Sequence, residues 1–391
     1  MDWDIVTARN GDKSLKLNGM SIYSNYRPRE DAWKWVENEF DVEADSYLLI
    51  GLGLGYHAEK LTKLAGEKPV FVYYFHEFEK RFVQSNNLNV ELVSTLEGIV
   101  LSKNIQVMIP NVWIRALGEN HPLLPYLEDI KINQITYKKS SEMMRINFMK
   151  NMQLKDFKPY PKFNHTIACL ISSGPSLDET LEWVKDVQED IDIFVVGSAL
   201  KLVIAQKIKP SAVIISDPKL TIKRQLENVN YDGPLFYLST TNHETVCEHK
   251  GNRFILFQQG YYEAEKSGNE LGFPLIETGG SVATTAFSLI ESLGYTMLVL
   301  FGQDLGFNED KTHAVKSTSG RQIKPSEKYK TIISNSGEEI KTSSNLSTYL
   351  RWFNKKIGNS KMRVYNTAWF GAKIANTPYI DKQQFHKLLR D

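Results

Sequence analysis

Residues 166–218, "TIACLISSGPSLDETLEWVKDVQEDIDIFVVGSALKLVIAQKIKPSAVIISDP", decide the fold. Three apolar runs of strand length, "TIACLISS", "IDIFVVGS" and "SAVIIS", alternate with segments of helical period. Strands separated in this way pair in parallel through right-handed crossovers. The alternation continues through "GPLFYLSTT", "RFILFQQG" and "TMLVLFGQDLGF", then a polar loop, the helix "LSTYLRWFNKKI" and a final strand, "MRVYNTA". A Rossmann-like sheet over residues 160–391 follows.

Upstream, the prolines of "KPYPKFN" mark a boundary after the helix-prone "YKKSSEMMRINFMKNMQLKDF". Residues 1–155 read as a separate N-terminal Rossmann-like α/β domain. Short strands and turns open it, "PREDAWKWVENEF" is a helix with proline at its start, and "KPVFVYYFHEFE" and "GIVLSKNIQVMIP" supply strands. Between them "SYLLIGLGLGYHAEKL", residues 46–61, carries Gly51, Gly53 and Gly55 at the exit of a strand, with Glu77 beyond. Such a turn suits S-adenosylmethionine or a dinucleotide, or it is a turn of the fold without a ligand. The bulk of Tyr56 and His57 favours the second reading.

The 391 residues suit two or three domains, and 42 % hydrophobic with 24 % charged residues is a globular composition. Lys+Arg (47) and Asp+Glu (46) nearly cancel, so no global field draws nucleic acid or an anionic membrane. The polar, acidic start "MDWDIVTARNGDK" and the lack of any apolar run of about 20 residues predict neither signal peptide nor membrane span, hence a cytoplasmic location. Cys169 and Cys247 form no framework or metal pair and are expected to be buried thiols.

Ligands of open parallel sheets bind beyond the carboxyl ends of the strands. Four strand ends here are polar: Ser173-Gly174-Pro175-Ser176, Gly197-Ser198, Asp217, and Gln303-Asp304. A fifth turn, Gly279-Gly280-Ser281, opens an apolar helix, where backbone donors and the helix dipole suit a phosphate or carboxylate. Helix capping explains each turn singly; their convergence is what points to a ligand.

"ISSGPSLDETLEWV", "VVGSALKLVIAQKIKPSAVIISDP", "GGSVATTAFSLIESLGYTMLVLFGQDLGF" and the later "THA" resemble the MptE-like central domain of the Maf (motor accessory factor) flagellin glycosyltransferases. More distantly they are similar to the sialyltransferases of glycosyltransferase family 42. "SIYSNYRPREDA" and "GLGLGYH" resemble the Maf N-terminal domain. The resemblance implies a sialyltransferase-like (GT-A-variant) parallel sheet and transfer of a nonulosonic acid, of pseudaminic or legionaminic type, from a CMP-sugar to Ser or Thr of flagellin. No metal or other cofactor is then needed. It implies Ser173 through Ser176 at the nucleotide phosphate and ribose, Ser198 and Asp217 near ribose or base, and the turn at Gly279, Gly280 and Ser281 on the phosphate or sugar carboxylate. Ser173, Ser198 and Asp217 stand where those sialyltransferases tend to carry asparagine. The chain lacks the long C-terminal helical extension of larger Maf proteins, which leaves acceptor docking to the N-terminal domain or residues 320–391.

His313, after the "GQDLGF" loop, is the candidate base for the acceptor hydroxyl, since imidazole titrates near neutrality. Asp304 is a second base, the orienter of His313, or a structural acceptor. Three alternatives stand beside the transferase: a pterin-type diphosphokinase with ATP and Mg²⁺ on Asp217 and Asp304, an S-adenosylmethionine-dependent methyltransferase, and a non-catalytic flagellin-binding chaperone.

Overall fold

A computed structural model describes residues 1–85, 87–96, 105–118, 121–307, 313–315, 317–318 and 329–390, with backbone alone for 132–139. Part of the expected strand signal at 98–104, the flanks of His313 at 310–312 and 316, and most of the polar loop at 319–328 lie outside the described residues. Two compact units divide the chain, Met1–Thr136 and Tyr137–Asp391.

The smaller unit opens with an antiparallel sheet of β1 (Trp3–Thr7), β2 (Lys13–Leu17) and β3 (Met20–Ser21). Helix α1 (Pro28–Glu39) starts on its proline with Glu30 and Asp31 in the first turn, as the helix dipole favours. Then come β4 (Ser46–Ile50), α2 (Tyr56–Ala65), β5 (Val70–Tyr73), α3 (Lys80–Ser85), β6 (Glu91–Val93), β7 (Ile105–Met108) and α4 (Asn111–Leu117). The four strands pair in parallel in the order β6-β5-β4-β7.

The glycine turn after β4 is filled by the protein's own side chains. A Cβ on Gly51 would meet the indole of Trp113, and one on Gly53 would lie 2.6 Å from the Tyr23 hydroxyl. That hydroxyl donates to Leu52 O (3.2 Å) and accepts from Leu54 N (3.1 Å). The carboxylate that reaches the turn is Glu79, not Glu77: it accepts from the N–H groups of Gly53 (2.6 Å), Phe75 (2.7 Å) and His76 (2.6 Å). Burial raises the Glu79 carboxyl to about 7, while Glu77 is exposed beside Lys80.

The 30-residue helix α5 (Leu124–Gln153) contains the division between the units, ahead of the proline-marked boundary. Its C-terminal part belongs to the larger unit because Asn147 and Asn151 project into that unit and donate to Pro218 O, Thr240 O, Ser239 O and Thr241 O. A helix held in this way does not end where the contacts change hands.

The larger unit continues with β8 (Ile167–Ile171), α6 (Leu177–Lys185), β9 (Asp192–Val196), α7 (Leu200–Ala205), β10 (Ala212–Ile215), α8 (Lys223–Leu226), β11 (Leu235–Leu238) and α9 (His243–Glu248). There follow β12 (Arg253–Gln258), α10 (Tyr262–Leu271), β13 (Leu275–Ile276), α11 (Val282–Ser292) and β14 (Met297–Phe301). A hairpin of β15 (Lys330–Ile333) and β16 (Glu339–Thr342), unforeseen in the sequence, precedes α12 (Ser344–Asn359), β17 (Arg363–Asn366) and α13 (Lys382–Leu388).

Eight parallel strands run in the order β13-β12-β11-β10-β9-β8-β14-β17. Strands β8, β9, β10 and β14 are buried almost throughout, which is why they read as unbroken apolar runs rather than alternating ones. The order reverses between β8 and β14, and Met297–Phe301 matches Ile167–Ile171 residue for residue. Cys169 is buried in β8 as expected; Cys247 is exposed, because Thr245 and Val246 take the buried face of α9. No helix among the described residues is long and apolar enough to cross a membrane.

Gly51→Ala places a methyl against Trp113 at a backbone φ of +91°, whereas Gly272, left-handed at φ +74°, has nothing within 4 Å. Gly272→Ala should cost about 1–2 kcal/mol for the left-handed residue alone. Gly51→Ala should cost about 1–3 kcal/mol more from overpacking. Urea unfolding of both variants measures the difference, and equal losses would mean that Trp113 moves aside freely.

Candidate functional site

The switch point between β8 and β14 is where an open parallel sheet forms a crevice. Here Ser172 N donates to Phe301 O and Gly174 N to Gly302 O, both at 2.8 Å, so the ladder runs on past the strand ends. The Ser172 hydroxyl donates to Gln303 Oε1 at 2.7 Å, which orients the buried Gln303 amide.

Asp304 then turns toward the start of α6. Its Oδ1 accepts from Ser176 N (3.1 Å) and its Oδ2 from the Ser176 hydroxyl (2.8 Å). A Cβ on Gly174 would collide with the Asp304 carboxylate and lie 2.5 Å from Gly302 O. The glycine is therefore required by this internal carboxylate. Asp304 takes the position at a helix N-terminus that an anionic ligand would take, and its bonds to Ser176 are, among the three roles open to it, those of a structural acceptor. Burial pushes its carboxyl up to about 7, against the opposing pull of the Ser176 donors. Leu305, next in the chain, sits in the left-handed region at φ 51°, with its carbonyl held by the Thr342 hydroxyl (2.8 Å). The Asp304 carbonyl accepts from Ala372 N at 2.7 Å.

On the other side of β8, the hydroxyls of Ser173 and Ser198 lie 2.9 Å apart. One donates to the other, so one hydroxyl proton of the pair is not consumed by that bond. The segment after β14 folds back over them. Ala314 N donates to Ser173 O (2.9 Å), Val315 N to the Asp178 carboxylate (3.0 Å), and the Thr318 hydroxyl to Ser198 O (3.3 Å). His313 is thereby brought beside the ends of β8 and β9, next in the chain to the residue that bonds Ser173. Gly197 has no room for a side chain, since a Cβ there would meet Gln225 Oε1 and Ile215.

Two other predicted groups stand apart from this cluster. Asp217, beyond β10, accepts from Lys219 N (2.9 Å) through its carboxylate and from Asn242 N (3.1 Å) through its carbonyl. Strands β9 and β8 lie between β10 and β14, so Asp217 and Asp304 are about 14 Å apart across the sheet. They cannot grip one Mg²⁺ together. Ser281 caps α11: its hydroxyl accepts from Thr284 N (3.3 Å), while the Thr284 hydroxyl accepts from Gly279 N (2.9 Å) and Ser281 N (3.2 Å). Gly280 has φ 90°, and a Cβ on Gly279 would fall 2.5 Å from the Trp352 ring. Helix α11 follows β13 and packs against β8, β9 and β10, so this turn lies at the carboxyl edge of the sheet with the other four.

Sequence reasoning missed Asp178, Ser317 and Thr318, whose hydrogen bonds tie the strand ends to the returning loop. Asp178 lies inside the quoted motif "ISSGPSLDETLEWV"; the serine and threonine gave no signal within a polar loop.

Residues 140–310 match the family model described as 6-hydroxymethylpterin diphosphokinase MptE-like, so this stretch is similar to the domain that the motifs resembled. The Maf glycosyltransferase of Magnetospirillum magneticum AMB-1 is similar in structure over 98 % of this chain and 71 % of its own, with a TM-score of 0.53 at 14 % identity. The fold is therefore shared with that protein across nearly the whole chain. A Treponema pallidum (strain Nichols) protein described as uncharacterized is 38 % identical over 61 residues, 15 % of this chain, and the match spans about a fifth (21 %) of that relative's length.

Asp304 holds its proton more tightly in the folded chain, at about 7, than its ordinary value of 3.8. Its contribution to stability is thus fully present below about pH 4 and is lost as pH rises through 7, with a slope of up to about 1.4 kcal/mol per pH unit. Asp304→Asn should remove that slope between pH 4.5 and 7. Urea unfolding at several pH values compares the two proteins, and parallel curves would place the titration elsewhere.

Proposed function

We propose that this protein is a glycosyltransferase that moves a nonulosonic acid from its CMP-activated form to Ser or Thr hydroxyls of flagellin. The observation that carries the reading is the cluster of polar strand ends beside the β8/β14 switch point, where Ser173 and Ser198 are hydrogen-bonded to each other and to the segment that follows His313, on a fold shared over 98 % of the chain with a Maf glycosyltransferase. Hydroxyl and backbone donors suit a ribose and a leaving phosphate without a fixed cation.

In this reading CMP departs from a sugar carbon that develops oxocarbenium character, and His313 removes the acceptor proton as the new bond forms. Ser173 and Ser198 hold the nucleotide, Asp217 and the Ser281 turn lie further along the same edge, and the buried Asp304 fixes the turn between β8 and α6. The protein works in the cytoplasm with flagellin as its partner. The description of the matching family model favours one second reading, a pterin diphosphokinase. That reaction calls for ATP and a metal, and it needs carboxylates other than the separated pair Asp217 and Asp304.

Calorimetric titration with CMP and with ATP plus Mg²⁺ discriminates the two. CMP should bind, Ser198→Ala should weaken it about tenfold through the loss of one ligand hydrogen bond, and ATP binding in place of CMP would favour the kinase. Coexpression with flagellin in a host that makes the sugar should add the mass of the glycan. His313→Ala should lower transfer by roughly 10²–10⁴-fold with CMP affinity unchanged; full transfer by that variant would move the base elsewhere.

A further inference from the structure

The smaller unit holds a cavity that the proposed transfer does not use. Its parallel sheet, in the order β6-β5-β4-β7, reverses between β4 and β7, and the crevice of an open sheet lies beyond the carboxyl ends of such a pair. The glycine turn after β4 leaves no room there. Trp113 and Tyr23 crowd Gly51 and Gly53, and Glu79 takes the Gly53 N–H. The open space is on the β7 side. A cavity of about 250 Å³ is walled by Tyr23, by Ala32 and Trp35 of α1, by His57 in the first turn of α2 and by Val112 in the first turn of α4.

His57 is the group in this wall that the fold does not satisfy. It is 4 % exposed, and its Nδ1 is buried with no hydrogen-bond partner. No bond to its Nε2 is formed among the described residues either. The two rings against it supply none. Tyr23 stacks on the imidazole at 5.2 Å and 26°, with its hydroxyl spent on Leu52 O and Leu54 N, and Trp35 meets it edge to face at 5.2 Å and 83°. Burial drives the imidazole down to about 3, so the ring is neutral at physiological pH. A neutral ring donates through one nitrogen and accepts through the other. Leaving such a group buried and unbonded is costly, whereas phenylalanine would pack the same place without that cost.

The walls define what could meet this ring. An apolar cavity of about 150 Å³ accepts benzene, so about 250 Å³ takes a second fused ring. Aromatic side chains suit stacking on a planar base. No Lys or Arg lines the cavity among the described residues, and its charged side chain is the exposed Asp31. Arg27, which is not part of the wall, is shared between Glu30 (3.7 Å) and Asp31 (3.9 Å). A phosphate or carboxylate therefore meets no free counter-charge on the wall. Purines carry acceptor and donor nitrogens on one edge, so either tautomer of His57 finds a partner.

We propose that this cavity binds an uncharged purine base, stacked on the aromatic wall and hydrogen-bonded to His57. The site lies wholly within the smaller unit and does not depend on the reaction proposed for the larger one.

The experiment titrates the full chain with adenine, followed by ligand-observed NMR, with adenosine monophosphate and CMP as further arms. Adenine should saturate the protein below about 1 mM. Adenosine monophosphate should bind no more tightly, and excess CMP should not displace adenine. His57→Phe should weaken adenine about tenfold through the loss of one hydrogen bond, and should raise the urea midpoint of the free protein. Ala32→Leu fills the cavity with His57 intact and should abolish binding. No saturation up to about 1 mM would leave a cavity that holds only water, and would overturn the proposal. Displacement by CMP, a preference for the monophosphate, or unchanged affinity in His57→Phe would do the same. So would a lowered midpoint or loss of folding in His57→Phe, which would show that the fold itself bonds the imidazole. If Ala32→Leu does not fold, His57→Phe decides alone.

Discussion

The register of β8 against β14 is the constraint on which the larger unit depends. Five matched residues on each strand join segments about 130 positions apart and carry the ladder on through Ser172 and Gly174. Once that register is set, Asp304 has one place to go, over Gly174 and onto Ser176. The chain then turns through Leu305, and the segment beyond returns across Ser173 and Ser198. A slip of one residue would turn every side chain of β14 to the opposite face of the sheet and carry Asp304 away from the α6 N-terminus.

The two units meet the same local demand in the same way. Each has a strand, a glycine turn and a helix at its switch point, a place where backbone N–H groups invite an anion. In each a buried carboxylate from a neighbouring strand end occupies it, Glu79 after β5 in one and Asp304 after β14 in the other. Burial lifts both to about 7. That leaves the Ser173/Ser198 side of β8, rather than the glycine turn itself, for the ligand of the proposed reaction.

Buried strands were legible because a sheet covered on both faces imposes unbroken apolar runs, and "IACLI", "DIFVV" and "MLVLF" lie in the structure where the sequence placed strands. The polar strand ends were legible for the same reason. What escaped was any contact that depends on a choice between near neighbours or on distant pairing. Glu77 and Glu79 are two residues apart and chemically alike; a single 3₁₀ turn over Glu77–Glu79 decides which one faces inward. The bond from Ser176 to Asp304 spans 128 positions and leaves no local trace. The compact units divide at Thr136 and Tyr137, within α5, because the prolines at 159 and 161 mark where a helix has ended and not where the packing changes. The exposure of Cys247 turned on which face of a six-residue helix was buried, and that is too short a helix to show a period.

The place of β8 in the sheet has a consequence for synthesis. Strands β8 to β13 are contiguous in sequence and can assemble while the chain is still emerging, with β9 already covering one side of β8. The opposite side waits for β14, whose first residue, Met297, comes long after Ile171 has left the ribosome. At about 5–20 residues per second, the uncharged edge "IACLI" stands open for roughly 6–25 s. An apolar edge strand exposed for that long is a template for pairing with another nascent chain. The yield of native protein is therefore sensitive to translation speed between residues 171 and 301, and to chaperones that hold a half-built sheet.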